Sequence, residues 1–290
     1  MHDKRIAHKK ISQHIDFDES VKPIWKNESP INTEKKIVEP EYSIMVCTPV
    51  HSEVSIHYAQ SLLEMQKFCF ANNIKIAFHL IKSSLVTQGR NLCVAAFLNE
   101  PRATHLLFID SDIDFEPSTI YEMLKKDVDV LSVPYPLKTI NWDKGYDYIK
   151  NDRIKSARDL QMSLNNYPMK LKDIDNVLVK DGIMEVTHSP TGCMLIKRSV
   201  LEKMVKEYPY MLIKQSTIIN GKQVETKNLY NFFDTLFEKE TNTYHGEDFA
   251  FCRRWRDIGG KCHAYITDYI SHIGEHQYTG RFADELKRID

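Results

Sequence analysis

The sequence predicts an α/β protein built on a mostly parallel sheet with helices on both faces. Short apolar segments recur along the chain, and most are separated from the next by a longer segment of helical character. Alternating strands and helices produce a mostly parallel sheet that is covered on both faces. One of these apolar segments, residues 105–109, runs directly into a pair of aspartates, at the strand end where such sheets bind ligands.

The elements follow in order from the first apolar run, residues 42–46, which Thr48 and Pro49 terminate. An amphipathic helix is predicted next at about 52–71. The other predicted strands are 74–80, 105–109, 128–133, 184–187, 192–196 and 262–266. The other predicted helices are 90–99, 118–126 (with Pro117 at its start), 198–208 and 249–258.

Three segments depart from this alternation. Residues 1–40 are polar and punctuated by prolines, which predicts an N-terminal arm or tail preceding one domain, residues 41–290. Residues 135–181 are rich in Lys, Asp, Asn and Tyr, and are interpreted as an insertion or lid that faces the substrate. Residues 209–242 form a second variable region.

Composition narrows the class of protein. The 39 Lys and Arg nearly balance the 40 Asp and Glu, whereas nucleic-acid-binding proteins carry a basic excess. No apolar run is long enough to span a membrane, and the N-terminus lacks the apolar core of a signal peptide. The six cysteines show no Cys-x-x-Cys spacing and predict buried thiols in a reducing compartment. We therefore expect a cytoplasmic protein, and leave a homo-oligomer open.

The sharpest chemical signal is Asp110-Ser111-Asp112, which follows the predicted strand 105–109. Carboxylate oxygens suit Mg²⁺ or Mn²⁺, which usually bridge one or two carboxylates to substrate phosphates. The alternative is a solvated turn, since Asp and Ser are common turn residues. Asp114 is predicted to lie outside the metal shell.

Two later positions offer further chemistry. Asp248 follows Glu247 at the start of the predicted helix 249–258, where a carboxylate serves either as general base or as a helix cap. His272 comes after the last predicted strand, and a neutral imidazole is a ligand for a metal such as Mn²⁺. The alternative for His272 is a structural role.

Two positions nearer the N-terminus are less specific. The Thr48 hydroxyl is able to bind a base or a ribose, but Thr-Pro is also a common end to a strand. Arg90 is predicted at a helix start, where the helix dipole disfavours a cation. An anion should therefore compensate it, either a phosphate of the ligand or Asp110, unless Arg90 is a plain surface residue.

Taken in order, these features resemble the GT-A glycosyltransferase family over residues 42–278. The resemblance implies transfer of a sugar from a nucleoside-diphosphate sugar to a hydroxyl of a glycan acceptor, with Mn²⁺ or Mg²⁺ as the cofactor. By the resemblance, the residues that hold nucleotide or diphosphate are Thr48, Pro49, Arg90, Asp110 and Ser111. The implied metal ligands are Asp110, Asp112 and His272, and Asp248 is the implied general base of an inverting enzyme.

Two alternatives stay open at this stage. A sugar nucleotidyltransferase shares the α/β core but should carry a glycine- and arginine-rich loop after the first strand, and residues 48–52 have none. A nucleotide- or glycan-binding protein without turnover is the second alternative. The sequence contains no phosphate-loop, dinucleotide-binding or Gly-x-Ser-x-Gly motif, which weakens nucleoside triphosphatase, dehydrogenase and serine hydrolase interpretations.

Overall fold

The structure is a computed structural model that describes residues 42–219 and 222–286. The predicted arm, residues 1–40, lies outside the described residues. The strands are β1 (Ser43–Val50), β2 (Lys75–Lys82), β3 (His105–Ile109), β4 (Ile113–Asp114), β5 (Val130–Ser132), β6 (Lys170–Leu171), β7 (Val179–Lys180), β8 (Ile183–His188), β9 (Cys193–Lys197), β10 (Ser216–Ile219), β11 (Lys222–Glu225), β12 (Leu236–Glu238), β13 (Thr243–His245), β14 (Cys262–Tyr265), β15 (Ile270–Ile273) and β16 (Gln277–Gly280). The helices are α1 (Ile56–Ala71), α2 (Val86–Leu98), α3 (Pro117–Lys125), α4 (Trp142–Lys150), α5 (Ala157–Ser163), α6 (Arg198–Glu207), α7 (Glu247–Asp257) and α8 (Phe282–Leu286), with a 3₁₀ turn at Pro209–Met211.

The large central sheet has the strand order β2-β1-β3-β9-β5-β14-β8-β6, and β7 also pairs with β8. Strands β2, β1, β3, β5 and β14 all run in the same direction, whereas β9 and β8 run in the opposite one. The predicted α/β class with a mostly parallel sheet is confirmed. The antiparallel insertion of β9 between β3 and β5 was not predicted.

Both faces of the sheet are covered by helices, as β3 illustrates. Leu106 and Phe108 pack into one core with residues of α2, α6 and α7, while Leu107 and Ile109 pack into a second core with residues of α1 and α3. Successive side chains of a strand point to opposite faces, so a strand that is buried on both sides is apolar throughout. This explains the uninterrupted apolar run before Asp110.

The insertion of β9 brings three chain segments together at one edge of the sheet. Because β9 is antiparallel to its neighbours, its first residues lie beside the last residues of β3 and β5. The Asp110 amide donates to the Gly192 carbonyl at 2.9 Å, and the Val133 amide donates to the Cys193 carbonyl at 2.9 Å. The residues that follow β3 and β5 therefore meet at the same place.

A small three-stranded sheet, in the order β16-β15-β4, adds a fourth segment to this edge. In the antiparallel pairing of β15 with β4, His272 lies opposite Ile113. The Ile273 amide also donates to the Asp112 carbonyl at 2.7 Å. Strand pairing therefore holds His272 beside the aspartate pair.

The predicted start of α2 at Arg90 is wrong, because the helix begins four residues earlier, at Val86. Gly89 lies inside this helix, where a Cβ atom would come within 2.8 Å of the Pro49 Cβ. This glycine allows α2 to pack closely against β1, and does not open the helix. Arg90 consequently lies in the second turn, where the argument from the helix dipole does not apply.

The two variable segments contain regular structure that the sequence did not predict. The segment 135–181 includes α4 and α5, and the segment 209–242 includes the hairpin β10–β11 and the strand β12, which pairs with β13. All six cysteines are buried and free, as predicted. In the part of the chain that the structure describes, no helix has both the length and the apolar character that crossing a membrane requires.

Candidate active site

Asp110 is held by Arg90 through both of its carboxylate oxygens. Arg90 Nη2 donates to Oδ2 at 3.1 Å, and Nη1 lies 3.0 Å from Oδ1. The Arg90 side chain is only 3% exposed. Burial opposes its charge, but Asp110 and Glu247 outweigh this effect and raise the pKa of Arg90 above its usual value. This ion pair therefore fixes the orientation of the first aspartate.

Arg90 also connects the aspartate pair to the start of α7. Its Nε lies 3.4 Å from Glu247 Oε1, so one buried guanidinium contacts carboxylates from two distant parts of the chain. Of the two compensating anions that the sequence suggested, Asp110 is the one seen here. Binding of a ligand phosphate by Arg90 stays a prediction.

Asp112 lies in a different environment, with its side chain 36% exposed. Its Oδ2 accepts a hydrogen bond from Lys138 Nζ at 2.6 Å and lies 3.4 Å from His272 Nε2. Partial burial would raise the pKa of Asp112, but the contacts with His272 and Lys138 outweigh it and lower the pKa to about 2. This carboxylate is therefore charged at any physiological pH.

His272 is oriented by a backbone carbonyl. Its Nδ1 lies 2.9 Å from the Pro136 oxygen, which can only accept, so Nδ1 carries the proton. Nε2 is then the ring atom that faces Asp112, and metal-binding histidines are commonly oriented through their other nitrogen in this way.

This pair of side chains fits a divalent cation. A carboxylate and an imidazole together suit Mn²⁺ better than Mg²⁺, which prefers oxygen ligands alone. Among residues 42–219 and 222–286, no three His, Cys, Asp or Glu side chains form a group that could hold a metal ion. Both oxygens of Asp110, the third predicted ligand, contact Arg90. Substrate oxygens and water would have to complete the coordination of a cation here.

Asp248 lies in the first turn of α7, after Gly246. One of its oxygens accepts a hydrogen bond from the Phe249 amide at 2.7 Å. Burial, followed by the charge of Glu247, raises the pKa of Asp248 to about 6, although the hydrogen bond and Arg90 partly oppose the rise. A carboxylate with a pKa near neutrality suits a general base.

Tyr135 is a central residue that the sequence analysis missed. It follows β5 and is buried, and its ring packs edge-on against His272 with the ring centroids 4.9 Å apart. Burial raises the pKa of its phenol, and the charges of Asp110, Asp248 and Asp112 raise it further. Tyr135 therefore belongs to the surroundings of the site, in contact with His272 and under the influence of all three carboxylates.

Gly192 makes room for this tyrosine. A Cβ atom at Gly192 would lie 2.6 Å from the Tyr135 ring, so the residue before β9 has to be glycine for the ring to occupy its place. The signal for Tyr135 in the sequence was its position just beyond a strand end, in Pro134-Tyr135-Pro136.

An open cleft of about 450 Å³ lies beside the aspartates. Its lining consists of Pro49, Val50, His51, Ser83, Ser84, Leu85, Val86, Asp110, Ser111 and Asp112. Pro49 and Ser111 therefore face the cleft, and their role in ligand binding stays a prediction. The Thr48 side chain is fully buried and forms a hydrogen bond with the Tyr58 hydroxyl. This geometry favours the structural role of Thr48.

Asp114 forms its contacts away from this cluster. Its Oδ1 accepts a hydrogen bond from Ser61 on α1 at 2.9 Å, and the Ser61 hydroxyl in turn accepts from the Phe115 amide. In β4, Asp114 also lies opposite Ser271. These contacts tie α1 to the small sheet.

No family model matches the chain, and no curated protein matches it either. Similar solved structures include A197 from STIV, with 16% identity over 80% of this chain and 86% of that one and a TM-score of 0.43. A glycosyltransferase involved in the glycosylation of the major capsid of PBCV-1 has 9% identity over 57% of this chain and 66% of that one, with a TM-score of 0.28. The 4-diphosphocytidyl-2C-methyl-D-erythritol synthase from Anaerococcus prevotii DSM 20548 has 9% identity over 74% of this chain and 99% of that one, with a TM-score of 0.30. Scores and identities this low carry no conclusion about the activity of this chain.

Proposed function

We propose that this chain is a divalent-metal-dependent glycosyltransferase that moves a sugar from a nucleoside-diphosphate sugar to a hydroxyl group of a glycan. The observation that carries the proposal is the pairing of Asp112 with His272 at the edge of a mostly parallel sheet. Open α/β sheets bind ligands at this edge. A metal that has only two ligands from the protein suits a substrate that supplies diphosphate oxygens.

The cleft beside Asp110 supplies a place for the nucleotide. Leu85 and Val86 offer exposed apolar surface for a base, and the hydroxyls of Ser83, Ser84 and Ser111 offer hydrogen bonds to ribose or phosphate. The bound cation would neutralise charge that develops on the leaving diphosphate. Asp112 and His272 would hold that cation, and Asp110 would remain locked by Arg90.

Asp248 acts as the general base of an inverting transfer. It accepts the proton of the acceptor hydroxyl while the acceptor oxygen bonds to the anomeric carbon, and the bond between that carbon and the diphosphate oxygen breaks. Arg90 acts as a positioning residue, because it contacts both Asp110 and Glu247, the neighbour of the base. Tyr135 is buried and packs against the ring of His272, which supports the position of that imidazole.

A thermal-shift panel with the purified full chain tests this proposal. Nucleoside diphosphates and nucleotide sugars are added with and without Mn²⁺, because a ligand that binds only the folded state raises the melting temperature. We expect one nucleotide to stabilise the protein only when Mn²⁺ is present. The matching nucleotide sugar should then release its nucleoside diphosphate during incubation.

Four results would overturn the proposal. If no nucleotide stabilises the protein, or if full turnover persists in excess chelator, the metal-dependent sugar donor site does not exist. Stabilisation without any release of nucleoside diphosphate, in the presence of mixed glycan acceptors, would indicate a binding protein. Formation of pyrophosphate from a nucleoside triphosphate and a sugar phosphate would indicate a nucleotidyltransferase.

A further inference from the structure

Lys138 occupies the place next to Asp112 where a cation would bind. Its Nζ lies 2.6 Å from Asp112 Oδ2, which is the same oxygen that faces His272 Nε2 at 3.4 Å. A divalent ion bound by Asp112 and His272 would therefore share this carboxylate with an ammonium group.

The chain holds this lysine in position by several contacts. Two residues earlier, the Pro136 carbonyl accepts from His272 Nδ1, and the Leu137 amide donates to the Asn166 carbonyl at 2.7 Å. The lysine side chain passes over Gly274, where a Cβ atom would lie 3.1 Å from Lys138 Cδ. The segment that leads into Lys138 is anchored and a glycine gives its side chain room, so this lysine is a built part of the site.

The positive charge of Lys138 opposes the binding of a divalent cation at Asp112. An ammonium and a divalent cation about 4 Å apart in a water-like medium repel each other enough to weaken metal binding by roughly tenfold or more. Lys138 lines a second cleft of about 460 Å³ that also contains His51, Glu53, Ser111 and Glu275. This cleft shares Asp112 with the proposed nucleotide cleft, so a displaced ammonium stays within reach of a bound diphosphate.

We propose that Lys138 is the resident counter-ion of Asp112, which the divalent cation displaces and which then binds the diphosphate of the sugar donor. This inference rests on the proposed function and deepens it. Metal and diphosphate binding are then cooperative. The metal frees the Lys138 ammonium to bind the diphosphate, and the bound diphosphate balances the charge of the ammonium that would otherwise repel the metal. The enzyme without its sugar donor would bind metal weakly.

The test measures two affinities of the full chain and of Lys138→Met. Mn²⁺ binding without nucleotide is followed by loss of the electron paramagnetic resonance signal of free Mn²⁺, and diphosphate binding by the thermal shift that inorganic pyrophosphate causes at saturating Mn²⁺. We expect Lys138→Met to bind Mn²⁺ about tenfold more tightly and pyrophosphate about tenfold more weakly. Lys138→Gln should reproduce both changes.

Lys82→Met is the matched control. Lys82 is exposed and ends β2 beside Val50, so its loss removes the same charge at the same edge of the sheet without touching Asp112. Both affinities should stay within about twofold of the wild type.

The outcomes separate this inference from the proposed function. If the wild type binds neither Mn²⁺ nor Mn²⁺ with pyrophosphate, both fail together. If the wild type binds both ligands but Lys138→Met binds Mn²⁺ no more tightly, only the role of Lys138 is overturned. Weakening of both ligands in Lys138→Met would show a lysine that merely shapes the site, which also overturns the inference.

Discussion

Asp112 and Asp248 are carboxylates of the same site in opposite environments. Asp112 is partly exposed and lies between Lys138 and His272, and its pKa is lowered to about 2. Asp248 is more deeply buried next to Glu247, and its pKa is raised to about 6. The first therefore keeps its charge under all ordinary conditions, whereas the second gains and loses a proton near neutrality.

The difference lies in how each charge is balanced. Asp112 has a cation within hydrogen-bonding distance, whereas the nearby cation Arg90 is shared between Asp110 and Glu247 and leaves Asp248 only partly compensated. Two titratable groups whose pKa values are driven apart in one site are typical of a division of chemical roles. A permanent anion suits metal binding, and a carboxylate with a pKa near 6 suits proton transfer.

The largest expected effect is that of Asp112→Asn. The amide keeps the size of the side chain but removes the charge that a divalent cation needs, and a catalytic metal contributes several kcal/mol to the reaction. We expect transfer to fall below detection and Mn²⁺-dependent stabilisation by the nucleotide to disappear. Thermal shift and nucleoside diphosphate release measure the two effects.

Asp114→Asn is the control for this change, since Asp114 contacts Ser61 and lies two residues away from Asp112. It should cost some stability and little activity. Normal turnover in Asp112→Asn would show that Asp112 does not hold a catalytic metal. The low pKa of Asp112 would then be a structural feature only.

The next largest effect is that of Asp248→Asn on turnover. Asn is accepted at helix starts about as well as Asp but cannot take a proton from the acceptor. We expect turnover to fall roughly 10²–10⁴-fold with unchanged nucleotide affinity and no loss of melting temperature. Steady-state kinetics and thermal shift on one preparation measure all three quantities.

If Asp248→Asn keeps most of its activity, Asp112 and Asp248 differ in pKa, but Asp248 is not the general base. Glu247 would then be the residue to change, because it is the other carboxylate at the start of α7. A retaining mechanism would also account for that result.

The opposite pKa shifts predict opposite effects of pH on stability. The raised pKa of Asp248 contributes stability that is present below pH 4 and is lost as the pH rises through about 6. Asp248→Asn should therefore gain stability relative to the wild type between pH 4 and pH 7, by at most about 3 kcal/mol. For Asp112 the sign reverses, because its lowered pKa contributes stability above pH 4 that is lost towards pH 2.

Urea unfolding of the wild type and both variants, from pH 3 to pH 7, measures these differences. If the stability difference between Asp248→Asn and the wild type does not change with pH, the pKa of Asp248 is not raised in solution. The electrostatic contrast between Asp112 and Asp248 would then be wrong.

The parts of the site that the sequence could predict are those encoded locally. Asp110 and Asp112 follow a strand buried on both faces, and such a strand reveals itself as a short apolar run. Asp248 stands at the start of a helix with an evident apolar pattern. These features depend on residues that are close in sequence, so they can be predicted from a single amino-acid sequence.

The parts that the sequence could not predict depend on distant pairing. Tyr135 reaches the site only because β9 runs antiparallel between β3 and β5, which no local pattern indicates. Lys138 meets Asp112 across a loop in a segment that was interpreted only as an insertion. The salt bridges of Arg90 were partly hidden because Gly89 looked like a helix start although it is a packing position inside α2.

The smallest expected effect concerns Thr48, where the resemblance and the structure favour different roles. Its hydroxyl is buried and bonded to Tyr58, so Thr48→Val should cost about 1–2 kcal/mol of unfolding free energy by leaving the Tyr58 hydroxyl without this partner. Nucleotide affinity should stay within about twofold of the wild type, whereas Ser111→Ala, in the cleft, should weaken it more.

Combining Thr48→Val with Tyr58→Phe should recover part of the lost stability, because both partners of the hydrogen bond are then removed. Urea unfolding and nucleotide titration of these three variants and the wild type measure both effects. A tenfold loss of nucleotide affinity in Thr48→Val at unchanged stability would instead show that its hydroxyl binds the nucleotide.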